Sequence, residues 1–174
     1  YMPFWRTYYH LVWTTKKREA LIRPEIESRL YGYLESKARE LGVHVYAIGG
    51  WTDHVHLVVA IPPRLSVAEV VKGLKGASAF HMNHGPAQDA HFAWQRGYGV
   101  LSLGEKQRPV AEAYVRQQKE HHSRQSTNSW LERTDETDDG PACMDHPINH
   151  SITRVGATLD GEDVAPAKEQ ESWP

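Results

Sequence analysis

The chain has 174 residues, 40% hydrophobic and 24% charged, which suits one folded domain with an extension. No apolar run approaches the ~20 residues of a membrane span, and the start, Tyr1-Met2-Pro3-Phe4-Trp5-Arg6, lacks the charged head and apolar core of a signal peptide. The net charge of −2 conceals an asymmetry: residues 1–126 hold 17 Lys+Arg against 11 Asp+Glu, and residues 127–174 hold 3 against 11. A basic body with an acidic tail is compatible with a polyanionic substrate. The single cysteine, Cys143, excludes an intrachain disulfide and fits a reducing, cytoplasmic setting.

Arg6 to Thr15 is rich in aromatic and β-branched residues and predicts a first strand. Lys16-Lys17-Arg18 follows as a basic turn, either a solvated loop or a contact to a phosphate backbone. Pro24 opens a helix whose stripe of Ile26, Leu30, Tyr33, Leu34, Lys37 and Leu41 ends at Gly42. Val43–Gly50 and a third strand from about His54 to Ile61 form a hairpin across Thr52-Asp53. Pro62-Pro63 stops it. Ser66 with Glu69 three residues on is a capping-box pattern, and Val67, Val70, Val71, Leu74, Ala77 and Phe80 mark a second helix to about Asn83. Its Lys72 and Lys75 are surface charges or DNA contacts.

His84-Gly85-Pro86 breaks that helix, a loop runs to about Ala90, and Phe92–Gln95 is a short extended piece. Gly97–Leu103 predicts a fourth strand. Pro109 opens a third helix carrying Val110, Ala113, Tyr114, Gln117, Gln118 and His121-His122. The order β-α-β-β-α-β-α predicts an α+β, ferredoxin-like split β-α-β sandwich: a four-stranded antiparallel sheet, two backing helices and an appended helix bearing the tyrosine. Ser129–Glu132 reads as a last helical turn. Beyond it the periodicity fades, so 1–126 is expected to be the catalytic domain and 127–174 an acidic, mostly irregular extension.

Chemistry concentrates at Asp53-His54-Val55-His56-Leu57. In a strand, residues i and i+2 share a face, so His54 and His56 project together, as half of a metal site or as two outward polar positions. Tyr114 and Gln118, four apart, share a helix face. The glutamine oxygen can complete a hard-cation site beside two imidazoles, and the tyrosine can present its hydroxyl there. With water and phosphate oxygens filling the open positions, the expected ion is Mg²⁺ or Mn²⁺; zinc usually takes more nitrogen or sulfur ligands. His122, one turn beyond Gln118, is a partner of the site or a surface residue.

The chain resembles the single-tyrosine transposases of the HUH endonuclease superfamily, carried by small bacterial and archaeal insertion sequences. The resemblance rests on His54-Val55-His56, on Tyr8 to Arg18 as opening strand and basic turn, on Phe92–Trp94 and Tyr98–Ser102, and on the tyrosine helix Tyr114–His122. It covers about residues 3–125. Gln117 departs from the family, which often has Asn there; both are amides. The resemblance implies that His54, His56 and Gln118 hold a divalent cation and that Tyr114 attacks a phosphate of single-stranded DNA at a hairpin-bearing transposon end. It gives a 5′-phosphotyrosine and a free 3′-hydroxyl, which strand transfer later reseals. It implies a homodimer in which the tyrosine serves its own or its partner's histidines. Asp53 and His122 become supporting partners of the site, and Arg6, Lys16, Lys17, Arg18, Lys72, Lys75 and Arg96 become phosphate contacts. Trp5, Tyr8, Trp94 and Tyr98 either stack bases or pack the sheet. Competing expectations are a domesticated relative that cuts repeated hairpins, a non-catalytic nucleic-acid-binding module of the same fold, and a metal-dependent hydrolase whose cleavage does not need Tyr114.

Overall fold

A computed structural model describes residues 4–84, 91–129 and 131–134. The loop expected at 85–90, Trp130, Cys143 and the rest of the acidic extension lie outside the described residues.

Four strands form one antiparallel sheet: β1 Tyr8–Thr14, β2 His44–Trp51, β3 His54–Ala60 and β4 Gly99–Leu103. Their spatial order is β2-β3-β1-β4. Two 17-residue helices, α1 Pro24–Glu40 and α2 Val67–Asn83, provide the crossovers. This is the expected split β-α-β sandwich.

Local chemistry sets the boundaries. Pro24 starts α1 where its missing N–H costs nothing, and Gly42, at φ 80°, turns the chain out of it. Ser66 accepts from the Glu69 backbone N–H while the Glu69 carboxylate accepts from Ser66 N, closing the capping box of α2. Strand alternation divides β3 into two faces. Val55, Leu57 and Val59 join Leu11 and Trp13 of β1 in the main core under α1 and α2, with Leu30, Leu34, Val70, Val71 and Leu74. Trp94 belongs to this layer: its ring meets Trp13 edge-on and its Nε1 donates to Ser78 Oγ at 2.9 Å. Phe80 does not follow its predicted stripe. It is 64% exposed and stacks on His84, because the buried face of α2 runs on through Leu74, Ser78 and Met82, and Phe80 lies off it.

The opposite face carries His54, His56 and Val58. It is covered by a smaller cluster in which Ala111 and Val115 of α3 (Arg108–Arg116) pack on Ala47 and Val58. The expected single tyrosine helix is divided. Gln117, at φ −99° and ψ 15°, leaves the helical range, and α4 begins anew at Gln118–Ser123. Tyr114 and Gln118 therefore straddle a bend. No helix among the described residues is long and apolar enough to cross a membrane.

Candidate active site

The β1–β3 register sets Val12 opposite His56 and Thr14 opposite His54, and β2 adds Gly49 opposite His56 and Trp51 opposite His54. Cross-strand neighbours share a face, so both imidazoles stand on the α3 side of the sheet. His54 is 2% exposed and His56 fully buried.

Each imidazole is oriented from behind. His54 Nδ1 lies 2.6 Å from Asp53 Oδ1. An ionised carboxylate only accepts, so this nitrogen carries the proton and a neutral His54 turns a lone pair on Nε2 toward the site. His56 Nδ1 lies 2.9 Å from Nε2 of His10, whose ring stacks on it at 5.1 Å. Burial, and then the neighbouring His56, push the His10 pKa down to about 3, so His10 stays neutral and shares one hydrogen bond with His56 Nδ1. His56 Nε2 is thereby turned toward the site. Burial alone would raise the Asp53 carboxyl, but the His54 hydrogen bond and charge and the Arg18 guanidinium outweigh it and hold it low. Arg18 Nη1 stands 3.3 Å from Asp53 Oδ2.

Both Nε2 atoms meet a group that lies in the expected extension. Glu132 Oε2 lies 3.3 Å from His54 Nε2 and 3.2 Å from His56 Nε2. Its other oxygen, Oε1, accepts from Tyr114 Oη at 2.6 Å and from Gln118 Nε2 at 3.2 Å. The Asn128 backbone N–H donates to Tyr114 Oη at 3.0 Å. His122 Nε2 sits 3.1 Å from His54 Nε2, with its ring stacked on Trp51 at 5.1 Å, and His121 stacks on the Tyr114 ring at 4.7 Å.

Charge follows this geometry. Burial would raise Glu132, but the hydrogen bond and charge of His56, with Tyr114 and His54 adding, hold it well below the usual carboxylate range. Burial pushes His56 down, and burial with the nearby His54 does the same to His122. The Tyr114 phenol is pushed up to about 12, first by burial and then by its bond to the Glu132 carboxylate. As it stands the hydroxyl is held protonated.

His54, His56 and Glu132 bring ligand atoms within 4.8 Å of one another and can hold a metal ion. The donor set fits one. Two imidazole nitrogens and a carboxylate oxygen converge, and such a set is satisfied by a shared proton or a cation. Gln118 is 1% exposed, and its buried Oε1 has no hydrogen-bond partner among the described residues. An orphaned buried carbonyl is costly unless something fills that role.

Two glycines admit the covering segments. A Cβ on Gly49 would stand 2.1 Å from the Val115 carbonyl oxygen, so the bare strand lets α3 reach the sheet beside His56. A Cβ on Gly99, across β1, would stand 2.2 Å from the Arg133 carbonyl oxygen, where the segment carrying Glu132 crosses β4. Glu132 sits in a turn whose N–H bonds the Asn128 carbonyl, rather than in a helical run.

The basic residues are dispersed. Lys16 and Lys17 are exposed on a 3-10 turn, Lys16–Arg18, on the side of Asp53. Lys72 is exposed on α2, across the sheet from the histidines. Lys75 Nζ donates to the carbonyls of Gln95 and Gly97 at 2.7 and 2.6 Å, clamping the loop before β4. Arg96 is exposed beside it, and Arg6 pairs with Glu105 at 3.6 Å. Tyr8 is buried. His10, Gly49, Gly99 and Glu132 carried no sequence signal of their own; only the strand register makes His10 and the glycines neighbours of His56.

A split β-α-β sheet with a histidine-x-histidine strand, a tyrosine helix packed beside it and this donor set defines a single-tyrosine HUH domain. Residues 3–118 match the family described as transposase, IS200 like, and the chain belongs to that family. Among relatives, it is 30% identical over 115 residues to the ISDra2 transposase TnpA of Deinococcus radiodurans, spanning 63% of this chain and 82% of that one. It is 27% identical over 122 residues to the transposase for insertion sequence element IS200 of Salmonella typhimurium, spanning 67% and 79%. The crystal structure of a protein from Deinococcus radiodurans described as a transposase superposes with a TM-score of 0.51 at 29% identity, covering 67% of this chain and 95% of that one. A REP-associated tyrosine transposase bound to a REP hairpin shares the fold, with a TM-score of 0.54 at 11% identity over 70% and 73% of the two chains.

Proposed function

We propose that this transposase cuts and rejoins single-stranded DNA at hairpin-bearing ends through a 5′-phosphotyrosine on Tyr114. The observation that carries this reading is the meeting of Tyr114 Oη, His54, His56 and Gln118 around one carboxylate within a single chain. His54, His56 and Gln118 would hold the cation, Mg²⁺ or Mn²⁺, with Asp53 and His10 fixing the tautomers behind them. Such a cation, when bound, neutralises charge on a phosphate undergoing displacement. The phenol oxygen of Tyr114 forms the bond to phosphorus as the bond to the 3′-oxygen breaks. The phenol proton leaves, and the departing 3′-oxygen takes one up as a hydroxyl. A pKa of about 12 means that the tyrosine needs activation before attack. A second 3′-hydroxyl reverses the step on the phosphotyrosine, so rejoining needs no ATP.

Lys16, Lys17 and Arg18 are the basic residues best placed for the DNA backbone, since Arg18 already reaches Asp53. Hairpin recognition draws support from the bound hairpin of the structural neighbour. Pairing of two chains follows from the family resemblance, and sedimentation velocity measures it. The proposed catalytic domain, 1–126, is followed by an extension whose first described residues, 127–129 and 131–134, include Glu132 of the site.

The test is incubation with labelled single-stranded hairpin DNA and Mn²⁺, read on a denaturing gel. A covalent adduct that Tyr114→Phe abolishes is expected. Cleavage persisting in Tyr114→Phe would instead mean a metal-dependent hydrolase, and binding with no adduct on any hairpin substrate would mean a binding module.

A further inference from the structure

We propose that Glu132 is a ligand of the cation through Oε2 and, through Oε1, the residue that positions the Tyr114 hydroxyl. The segment after the tyrosine helix is thereby part of the active site. The inference deepens the metal-dependent reading above and rests on it.

Three independent features carry it. Geometrically, Oε2 is within 3.3 Å of both imidazole Nε2 atoms, while Oε1 holds Tyr114 Oη at 2.6 Å and the Gln118 amide at 3.2 Å. One carboxylate thus ties the nucleophile to both histidines, and no other acid among the described residues reaches the pair in this way. Chemically, two imidazole nitrogens and a carboxylate oxygen converge in one buried place, a donor set that a divalent cation takes up as the shared proton leaves. Gln118 Oε1 is left without a partner in the same buried place, so the group that recruits Glu132 can also use the amide oxygen. Architecturally, the sheet is cut away for this segment. Gly99 is bare where the Arg133 carbonyl passes, and a Cβ there would stand 2.2 Å from that backbone oxygen and 2.7 Å from Val12 Cγ1. Arg18 Nη2 bonds Thr134 Oγ1 at 3.2 Å, pinning the far side of the segment to the turn that supports Asp53.

The same contacts admit an opposite role. The carboxylate could be a plug that occupies the cation's position and must leave before the ion enters. The two roles predict opposite signs, which makes the proposal decidable. Mn²⁺ binding to the full-length protein without DNA is measured by titration calorimetry, with circular dichroism to verify folding. As a ligand, Glu132→Ala weakens Mn²⁺ binding at least tenfold, and Glu132→Asp recovers part of the loss. Gly99→Ala, which replaces no ligand but crowds the Arg133 carbonyl and Val12, weakens it in the same direction. Cleavage of hairpin DNA by Glu132→Ala at saturating Mn²⁺ stays at least tenfold slow with an unchanged KM for DNA, because Tyr114 has lost its anchor. Unchanged or tighter Mn²⁺ binding by Glu132→Ala, with His56→Ala abolishing binding, overturns the proposal and leaves the metal-dependent reading standing. Retention of Mn²⁺ binding by His56→Ala overturns both. Full recovery of the cleavage rate at saturating Mn²⁺ overturns the positioning role.

Discussion

Gly49→Ala tests whether the approach of the tyrosine helix sets the reaction rate. The added Cβ would lie 2.1 Å from the Val115 carbonyl oxygen and 3.1 Å from its carbon. An ordinary carbon–oxygen contact needs about 3.3 Å, so α3 must retreat by about 1 Å at the residue after Tyr114. Overpacking of this kind costs roughly 1–3 kcal/mol of stability. Moving a nucleophile by about 1 Å costs on the order of 10²-fold in rate. His56, directly across from Gly49 in the register, stays on the interior strand, so the histidine half of the cation site is undisturbed, while Gln118 moves with Tyr114. The expected result is a lower melting temperature and phosphotyrosine formation slowed by roughly 100-fold at saturating Mn²⁺ in single-turnover assays below the melting transition. A wild-type rate in a protein destabilised by the substitution would refute the claim that the distance between α3 and the sheet governs the nucleophile.

Other perturbations separate the supporting groups. Asp53→Ala removes the acceptor behind His54 Nδ1, and His10→Ala the hydrogen-bond partner behind His56 Nδ1; each should weaken Mn²⁺ binding by about 10–100-fold in calorimetry while leaving the chain folded. Ser66→Ala opens the capping box of α2 and should cost about 1 kcal/mol by urea denaturation, without effect on DNA cleavage. Lys75 provides a pH test. Burial lowers its pKa from 10.5 to about 8, so between those values the unfolded chain binds more protons than the folded one. Stability from this group therefore rises as pH increases through the window, and the wild type should gain on Lys75→Met between pH 8 and 10.5 in paired denaturation curves.

How far the sequence disclosed this arrangement depends on the range of each interaction. The strands, both crossover helices, the capping box and the Gly42 stop are local: periodicity and cap residues within a few positions determine them. The histidine pair was legible because i, i+2 geometry needs only a strand. The bend at Gln117 was not legible, since Val115 through Gln118 has no proline or glycine to announce it. Phe80 emerged on the surface because three-residue steps from Leu74 through Ala77 drift off a 3.6-residue face, which the structure continues through Ser78 and Met82.

His10, Gly49, Gly99 and Glu132 show why register matters more than composition at the site. His10 lies 46 residues from His56 in sequence and 2.9 Å from it in space, a proximity created by the antiparallel pairing of β1 with β3. Glu132 lies 76 residues from His56, in a stretch whose acidity made it look like tail. What distinguishes it from the other acids of that stretch is the path made for it: the bare Gly99 on one side of the histidine strand, as Gly49 is on the other. A glycine inside a strand ordinarily weakens it, through lost packing and added unfolded-state entropy. Gly49 beside His56, and Gly99 one strand beyond Val12 in the same cross-sheet row, make sense where backbone comes close at both places. On the β2 side the approaching backbone belongs to the helix with the nucleophile, and on the β4 side to the segment with the carboxylate that holds that nucleophile's hydroxyl.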